Sequence, residues 1–371
     1  MLNLYGQSRT QLEALFVEQG LQAFRGRQLM RWIYHLEQHD FQAMTDLPLW
    51  MREWLAQNAC IELPDVVQQR VSKDGTCKWV LDVGDGNLVE TVLIPEKGRN
   101  TLCISSQIGC LLDCRFCSTG KQGFSGNLSA ATIVGQMVIA NDYLKPRGEQ
   151  VTNVVMMGMG EPLLNFDEVL PALSIMMDDL AFGLSKRRVT VSTAGVVPGI
   201  YKLAEATDCA LAISLHAPTD ELRDELVPIN KKHPIAQLME ACLHYVDHLG
   251  RGRKLVMEYT LLKGVNDSKE HAQALAKLLE PLRCKINLIP FNPFPGSGYE
   301  KPSKKAIYDF QTCLMKAGYT TMLRTTRGDD IDAACGQLVG QVADRTKRQA
   351  RYHAKLDAQG ITPVRLLDEV S

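Results

Sequence analysis

Residues 101–117 read Thr-Leu-Cys-Ile-Ser-Ser-Gln-Ile-Gly-Cys-Leu-Leu-Asp-Cys-Arg-Phe-Cys, an apolar run that leads directly into three cysteines. The first part has the β-branched and apolar residues typical of a buried strand. In the second part, Cys110, Cys114 and Cys117 lie close together in a polar segment rich in turn-forming residues. The stretch therefore predicts a strand that ends in a loop suited to hold a metal centre.

The same order of strand, loop and amphipathic helix recurs along the chain from residue 100 onward. Such alternation favours a parallel α/β sheet that is closed or partly closed as a barrel. In barrels of this kind the chemistry lies on the loops after the carboxyl ends of the strands. The predicted strands lie within 101–106, 153–158, 188–193, 210–217, 255–262, 285–291 and 320–326, and the predicted helices within 129–143, 166–178, 233–248, 268–281 and 303–317.

Two shorter regions precede this α/β core. Residues 1–58 carry apolar residues at helical spacing and predict a small N-terminal helical domain. The next region alternates as strands do, with hairpin signals at Asp74-Gly75 and Asp85-Gly86, and predicts a short β extension. The predicted divisions are therefore 1–58, 59–99, 100–350 and a C-terminal tail at 351–371.

The composition is that of a soluble globular enzyme. The chain has 371 residues, is 45% hydrophobic and carries a formal net charge of -1. Dedicated nucleic-acid binders are usually basic, with a pI above about 9. Because the net charge of this chain is close to zero, any contact with nucleic acid must come from local basic clusters. The N-terminus has no export signal and no apolar run approaches the roughly 20 residues of a membrane span, so we expect a cytoplasmic protein without membrane association.

The spacing of the three loop cysteines favours an iron–sulfur cluster. Three thiolates on one loop can hold three irons of a four-iron cluster and leave the fourth iron open to a small molecule. A structural zinc site usually needs four ligands, and no second CxxC or nearby histidine supplies the fourth. A non-enzymatic RNA-binding protein with structural zinc, and ordinary core cysteines, remain alternatives at this point.

Polar residues follow several of the later predicted strands. In Met157-Gly-Met-Gly-Glu161-Pro162 the glycines permit close approach of a ligand, and the carboxylate can pair with an ammonium group. Hydroxyl, imidazole and amide groups at later strand ends can hydrogen-bond ribose, carboxylate or adenine, although each alone is as readily a loop-stabilising residue. The candidate binding residues are Gly160, Glu161, Ser192, Ser214, Leu215, His216 and Asn292.

Two other cysteines occupy different sequence settings. Cys335 lies in a turn-rich, acidic segment, 327–337, with alanine and glycine on either side, which permits close approach of a substrate. Cys103 lies on the first core strand and, taken alone, is typical of a core cysteine. The remaining cysteines fall in apolar or helical surroundings, and we assign them no chemistry.

The CxxxCxxC pattern, with an aromatic residue before its last cysteine, resembles the motif of the radical SAM superfamily. That resemblance implies a [4Fe–4S] cluster whose open iron binds S-adenosylmethionine (SAM). The segments TLCISSQIGC, VVMMGMGEP, SLHAP, VPINKK, IPFNPFPG and GDDIDAACGQL resemble, more closely, the RlmN/Cfr family of RNA methyltransferases, over nearly the whole chain.

This second resemblance implies a partial (β/α)6 barrel and methylation of adenosine C2 in 23S rRNA and in tRNA next to the anticodon. A Cfr-type enzyme that methylates adenine C8 is the alternative within the family. A radical SAM enzyme acting on a small molecule or peptide is the alternative outside it.

The resemblance also implies roles for individual residues. Cys335 takes a methyl group from one SAM as S-methylcysteine, and a radical from a second SAM activates that methyl group for addition to C2. Cys103 matches the resolving thiol, which forms a transient disulfide with Cys335, and Glu90 matches the acceptor of the C2 proton. The strand-end residues named above become SAM contacts. A flavodoxin or ferredoxin system is the implied electron donor, and we expect a monomer.

Basic residues are concentrated in four short stretches. A single such cluster is more often a solvated helix face than an RNA-binding site. The C-terminal group is the densest and follows Cys335, so it is the first candidate for RNA contact. The four groups are Lys186 to Arg188, Lys231 with Lys232, Lys301 with Lys304 and Lys305, and Arg345, Lys347, Arg348, Arg351 and Lys355.

Overall fold

The computed structural model of the chain describes residues 1–250 and 252–361. Within these residues strands and helices alternate through the core, as the sequence predicts. The strands are β1 (Leu2–Asn3), β2 (Ala59–Cys60), β3 (Asp65–Val71), β4 (Cys77–Asp82), β5 (Leu88–Glu96), β6 (Arg99–Cys103), β7 (Gln107–Gly109), β8 (Phe124–Asn127), β9 (Asn153–Met156), β10 (Val189–Thr193), β11 (Ala210–Ser214), β12 (Leu255–Leu261), β13 (Cys284–Pro290) and β14 (Thr321–Leu323). The α-helices are α1 (Arg9–Glu18), α2 (Phe24–Tyr34), α3 (Leu49–Asn58), α4 (Ser118–Lys121), α5 (Ala130–Leu144), α6 (Phe166–Met177), α7 (Val197–Ala206), α8 (Asp220–Leu226), α9 (Ile235–Leu249), α10 (Lys269–Leu278), α11 (Lys304–Lys316) and α12 (Arg348–Ala358).

The N-terminal region is helical, as predicted. Helix α1 begins with a capping box, in which the Ser8 hydroxyl accepts from the Gln11 amide and the Gln11 side chain accepts from the Ser8 amide. Helix α2 packs closely on α1, since a Cβ on Gly26 would lie 2.6 Å from the Glu13 nitrogen. Helix α3 ends at Asn58, and β2 then pairs in parallel with β1.

The β extension consists of two antiparallel hairpins, β3–β4 and β4–β5. Their turns contain the predicted Asp-Gly pairs, and Gly75 and Gly86 adopt positive φ angles of 85° and 70° that favour glycine. Strand β5 pairs antiparallel with β6, the first strand of the core. The extension is therefore continuous with the core sheet.

The core is one open sheet with seven parallel strands, β6 and β9 to β14. The order across the whole ten-stranded sheet is β14-β13-β12-β11-β10-β9-β6-β5-β4-β3. The inner parallel strands β10 to β13 are buried almost continuously, as is typical when helices cover them, whereas Met322 and Leu323 of the edge strand β14 are exposed. This arrangement confirms the predicted partial barrel, and it brings the carboxyl ends of the parallel strands together on one side.

The segment after β14 returns across the β extension. Asp330 accepts hydrogen bonds from the Ser72 hydroxyl and the Lys73 amide, and Gln341 pairs with Leu88. Helix α12 then runs across the predicted boundary between residues 350 and 351, and its Leu356 is buried. The part of the predicted tail at 362–371 lies outside the described residues. In the described part of the chain, no helix is both long and apolar enough to cross a membrane.

Candidate active site

A cleft of about 1000 Å³, measured to its open mouth, lies at the carboxyl ends of the parallel strands. It is lined by residues from the cysteine loop, from the ends of β9 to β13 and from the segment after β14. Its lining is mostly apolar with a few polar groups, as is typical of sites that bind cofactors or other small molecules. The predicted site residues that line it are Cys110, Cys114, Cys117, Gly160, Glu161, Ser192, Ser214, His216, Asn292 and Cys335.

The cysteine loop joins β7 to α4 and is held in shape by an arginine from the other end of the chain. The guanidinium of Arg348, on α12, donates hydrogen bonds to the carbonyl oxygens of Cys110 (3.3 Å), Leu111 (2.9 Å), Leu112 (3.0 Å) and Gly120 (2.9 Å). In the sequence, Arg348 belongs to the densest basic cluster, which is a candidate for RNA contact. Its contacts instead give it a structural role at the loop, which no sequence pattern indicated.

The three loop thiols fit the implied four-iron cluster. All three are half-buried, line the same cleft and are free. Burial, and then the nearby thiols of Cys114 and Cys117, raise the pKa of Cys110. In the described residues no three His, Cys, Asp or Glu side chains converge on a single ion position. Each thiolate of a four-iron cluster binds a different iron, so a cluster does not require such convergence.

Glu161 lies in the loop after β9 and is hydrogen-bonded to its own loop, to the residue that follows β10 and to β7. Its carboxylate accepts hydrogen bonds from the Leu163 amide (3.2 Å) and the Ala194 amide (2.7 Å), and its own amide donates to Gln107 (2.9 Å). Burial raises the pKa of Glu161 to about 7. Each carboxylate oxygen retains a lone pair, so the group can still pair with an ammonium group in the cleft.

The glycines beside Glu161 are required by close packing of the backbone, independently of any ligand. A Cβ on Gly158 would lie 2.6 Å from the Ile104 carbonyl oxygen. Gly160 has a φ of 102°, and a Cβ there would lie 2.5 Å from the side chain of Gln107. From the sequence, these glycines are expected to permit the close approach of a ligand. Close packing against residues 104–107 is a sufficient reason for them, although both also line the cleft.

The predicted residues at the ends of β10 and β11 are placed differently from one another. Ser192, Ser214 and His216 line the cleft, whereas Leu215 is fully buried and lies outside the lining. The Nδ1 of His216 accepts a hydrogen bond from the Thr260 amide (2.9 Å), and burial lowers the pKa of His216 to about 3. The imidazole is therefore neutral, and its Nε2 carries the proton as a donor.

Asn292 connects the end of β13 to the segment that carries Cys335. Its Nδ2 donates to the Cys335 carbonyl oxygen (3.2 Å), and its Oδ1 accepts from the Thr326 hydroxyl (3.0 Å). The side chain of Cys335 is exposed to the cleft. The protein that surrounds the cleft still desolvates its thiol, and this desolvation raises the pKa of Cys335 to about 11. In this conformation Asn292 positions Cys335 in addition to lining the cleft.

Cys103 lies just behind the cleft, at the end of β6, and is not among its lining residues. Burial, and then the nearby Cys335 thiol, raise the pKa of Cys103 to about 12. Cys103 and Cys335 are both free thiols here, as is every cysteine in the described residues. The disulfide that the family resemblance implies is therefore not present in this conformation and stays a prediction.

Glu90 is buried in β5, away from the cleft lining. Its Oε1 lies 2.8 Å from the Lys78 ammonium, and its Oε2 accepts a hydrogen bond from the Val339 amide (2.8 Å). Lys78 also donates to the carbonyl oxygen of Asp332 (3.3 Å). Glu90 thus fastens the segment that carries Cys335 to the β extension.

Arg223 is a further residue of the site that sequence analysis missed. It is fully buried in α8 and donates hydrogen bonds to the carbonyl oxygens of Leu215 (3.0 Å), Ala194 (2.6 Å) and Ser214 (3.2 Å), and to Asn230 (2.8 Å). Burial lowers the pKa of Arg223 to about 10, so it remains charged at neutral pH. It holds together the two strand ends that carry candidate binding groups. Its sequence context, LRDEL, is that of an exposed helix and gave no signal of this role.

The predicted basic clusters lie mostly on the surface. Lys186 pairs with Asp208, and Lys305 pairs with Asp309 at 2.5 Å. These exposed pairs contribute little to stability and leave the side chains accessible. The other exposed members are Arg187, Arg188, Lys231, Lys232, Lys301, Lys304, Arg345, Lys347, Arg351 and Lys355.

Two family profiles match different parts of the chain. Residues 2–61 match the ribosomal RNA large subunit methyltransferase N-terminal domain, which corresponds to the helical region. Residues 104–276 match the radical SAM superfamily, which includes the cysteine loop and most of the barrel.

Proteins of known name resemble the chain over almost its full length. A protein of Marinobacter nauticus named dual-specificity RNA methyltransferase RlmN is 56% identical over 356 residues, or 95% of this chain and 96% of that protein. A protein of Pseudomonas putida with the same name is 57% identical over 357 residues, or 95% of this chain and 94% of that protein. Among solved structures, a radical SAM methyltransferase from Sphaerobacter thermophilus is 40% identical, with a TM-score of 0.84, and covers 91% of this chain and 99% of that one. The chain therefore belongs to the RlmN family of radical SAM methyltransferases.

Proposed function

We propose that this chain places a methyl group on carbon 2 of an adenosine in RNA, in 23S rRNA and in tRNA next to the anticodon. The main support is the single cleft onto which the three loop cysteines, the strand-end polar groups and Cys335 all open. The name shared by the relatives, dual-specificity RNA methyltransferase, supports RNA of more than one class as substrate. Carbon 2 of adenine is electron-poor, so polar transfer of a methyl group to it is unfavourable.

The residues of the cleft fit the two cofactors of the radical SAM superfamily, a [4Fe–4S] cluster and SAM. Cys110, Cys114 and Cys117 would hold three irons, and Glu161 with the strand-end polar groups would hold SAM. When bound, these groups supply a methyl donor and a carbon-centred radical, while the protein supplies position and protection. Among the strand-end groups, neutral His216 offers a hydrogen-bond donor.

Cys335 carries the methyl group in this proposal. Its backbone is anchored on the carboxyl side, because Asn292 donates to its carbonyl oxygen and the Ser118 amide donates to the Gly336 carbonyl oxygen at 2.8 Å. This anchoring fixes the sulfur near the loop cysteines. The thiol must lose its proton before it can take a methyl group from SAM. Burial raises the pKa of this thiol, and the nearby positive charge of Arg324 offsets part of that rise and so favours the thiolate.

Cys103 and Glu90 complete the proposed reaction. Cys103 acts as the resolving thiol, which attacks the Cys335 sulfur and releases the methylated RNA as a disulfide forms. Glu90 accepts the proton of carbon 2. Since Glu90 is now paired with Lys78 and Val339, this role requires the segment that carries Cys335 to move away from β5.

We further propose that a flavodoxin or ferredoxin system supplies the electrons, that the chain is a monomer and that it acts in the cytoplasm. Reduced flavodoxin or ferredoxin should support turnover in place of a chemical reductant, and the sedimentation coefficient should be that of a single chain. If neither reduced flavodoxin nor reduced ferredoxin supported turnover, or if the protein were a dimer at working concentration, these points would be contradicted.

Reconstitution with iron, sulfide and SAM under anaerobic conditions tests the proposed function. The enzyme is incubated with unmodified 23S rRNA fragments and with tRNA, and the digested nucleosides are analysed by mass spectrometry. We expect 2-methyladenosine from both RNAs and an oxygen-sensitive brown protein with about four irons. Formation of 8-methyladenosine alone would indicate a Cfr-type enzyme, and a colourless zinc protein would indicate a structural metal. RNA-independent formation of deoxyadenosine would favour a small-molecule or peptide substrate.

A further inference from the structure

Glu258 is a buried acid in the cleft to which neither the family motifs nor the proposed mechanism gives a role. It lies in the middle of β12, lines the cleft and is only 2% exposed. Its Oε1 accepts a hydrogen bond from the Asn287 side chain at 2.8 Å. Its Oε2 is fully buried and has no hydrogen-bond partner in the described structure. A buried acceptor without a donor is costly, which indicates that a bound ligand supplies the donor.

The surroundings of Glu258 show which part of the cleft such a ligand occupies. Arg324, from the segment after β14, approaches the Glu258 carboxylate at 3.9 Å and the Met157 sulfur at 3.4 Å. The charges of Glu258 and Arg324 both act on the Cys335 thiol, and that of Arg324 also acts on Cys103. Glu258 therefore lies on the side of the cleft where the two proposed reactive thiols meet.

Two of the groups proposed to hold SAM, Glu161 and Ser192, lie farther from Glu258 in the sheet, because β11 separates β9 and β10 from β12. Glu161 is fixed by backbone amides at the ends of β9 and β10, and Ser192 belongs to β10. A methyl group carried on Cys335 must reach its acceptor directly, so the acceptor base has to lie against the thiols. The donor that Glu258 lacks is thus expected from the acceptor base rather than from SAM.

We propose that the Oε2 atom of Glu258 accepts a hydrogen bond from the exocyclic 6-amino group of the target adenine, and so discriminates adenine from guanine and uracil. This inference rests on the proposed function and adds a specificity-determining residue to it. Enzymes that act on a base commonly hold it unstacked and read its edge by hydrogen bonds. Among the RNA bases, guanine and uracil present a carbonyl oxygen at the equivalent position, which a carboxylate repels.

The substitution Glu258→Gln tests the inference with little change in shape. Asn287 would continue to donate to the oxygen of the new amide, because that oxygen takes the place of Oε1. The amide nitrogen would then occupy the place of Oε2 and would present a donor to the amino group of adenine. Glu96→Gln is the matched control, since Glu96 is exposed at the end of β5 and its charge also reaches Arg324.

The experiment compares two synthetic RNA substrates, one with adenosine and one with purine riboside, which lacks the 6-amino group, at the target position. Wild-type enzyme and the Glu96→Gln control should prefer adenosine by about 10- to 100-fold in kcat/KM, the range expected for one hydrogen bond to a charged group. Glu258→Gln should lose that preference. Any electronic effect of the amino group on carbon 2 is the same in both enzymes and cancels in the comparison.

A second readout separates the RNA base from SAM as the ligand of Glu258. In the proposed mechanism, methylation of Cys335 requires SAM but no RNA. Because Glu258→Gln removes a negative charge that acts against the Cys335 thiolate, the variant should acquire the S-methyl group at least as fast as the wild type. That result would also show that the variant is folded. Slower S-methylation, or a preference for adenosine equal to that of the wild type, would overturn the inference. If the wild-type enzyme methylated the adenosine RNA and the purine riboside RNA at equal rates, the inference would be wrong whatever the variants show. Failure of the wild type to methylate either RNA would instead count against the proposed function.

Discussion

Cys335 combines exposure to the cleft with a backbone held by Asn292, and its side chain is the proposed carrier of the methyl group. Cys335→Ala removes the sulfur while the three loop cysteines stay in place. We expect this variant to bind iron normally, to acquire no S-methyl group and to methylate no RNA, as judged by iron analysis, peptide mass spectrometry and nucleoside analysis. Cys313→Ala, in α11 outside the cleft, is the control. Normal RNA methylation by Cys335→Ala would rule out the covalent route.

Loss of the Cys103 thiol is predicted to block the release of RNA from the enzyme, whereas loss of the Cys335 thiol prevents the attachment of RNA. Without its thiol, nothing should release RNA from the Cys335 sulfur, so Cys103→Ala should accumulate protein linked to RNA. Denaturing gels with labelled RNA, before and after nuclease digestion, measure this species. Cys60→Ala, at the end of β2, serves as the control. Free methylated RNA in multiple turnovers from Cys103→Ala would contradict the resolving role.

The Lys78–Glu90 pair makes a separate prediction about stability. Both side chains are almost fully buried, and Lys78→Met would leave the Glu90 carboxylate without its cation. Such a loss typically lowers the free energy of unfolding by about 3–5 kcal/mol. Chemical denaturation should detect this change, whereas Lys73→Met, at an exposed position of the neighbouring turn, should change the stability by less than about 0.5 kcal/mol. A double variant with Glu90→Leu should recover most of the loss, and failure to do so would show that the pair is not the cause.

At the scale of elements, the cysteine loop depends on α12. Arg348→Met removes all four hydrogen bonds to loop carbonyls while retaining the length of the side chain. We expect the reconstituted variant to lose iron several-fold faster than the wild type during anaerobic gel filtration. Lys355→Met, at an exposed position on the same helix, should retain iron normally. Equal retention by the Arg348 variant would show that the loop does not need this support.

The elements themselves were largely predictable from the sequence. Each of the seven predicted core strands appears, because parallel strands buried on both faces leave short apolar runs bounded by turn residues. Asp74-Gly75 and Asp85-Gly86 predicted the hairpins, because a glycine there accepts a positive φ. The helix that ends the described chain was missed, since its residues are mostly polar and it is held by Leu356 and Arg348 contacts with distant segments.

At the scale of the whole molecule, the site was predictable where its chemistry is local in sequence and less so where it depends on tertiary contacts. The loop cysteines and the strand-end groups were found because βα topology brings strand ends together. Leu215 is buried outside the cleft, although its neighbours line it. Arg223, Arg348 and Glu258 were missed because their partners are remote in sequence, so that only the folded chain reveals an arginine buried among carbonyl groups or an acid without a donor.

A single-turnover label experiment tests most directly whether the methyl group passes through Cys335. The reconstituted enzyme is first incubated with SAM that carries a ¹³C methyl group, in the absence of RNA, and is then freed of excess SAM. Unlabelled SAM, a reductant and target RNA are added, and the first methylated RNA is analysed by mass spectrometry. The proposed mechanism predicts 2-methyladenosine that carries ¹³C, together with loss of the label from Cys335. An unlabelled methyl group in that first product, with the label still on Cys335, would contradict it.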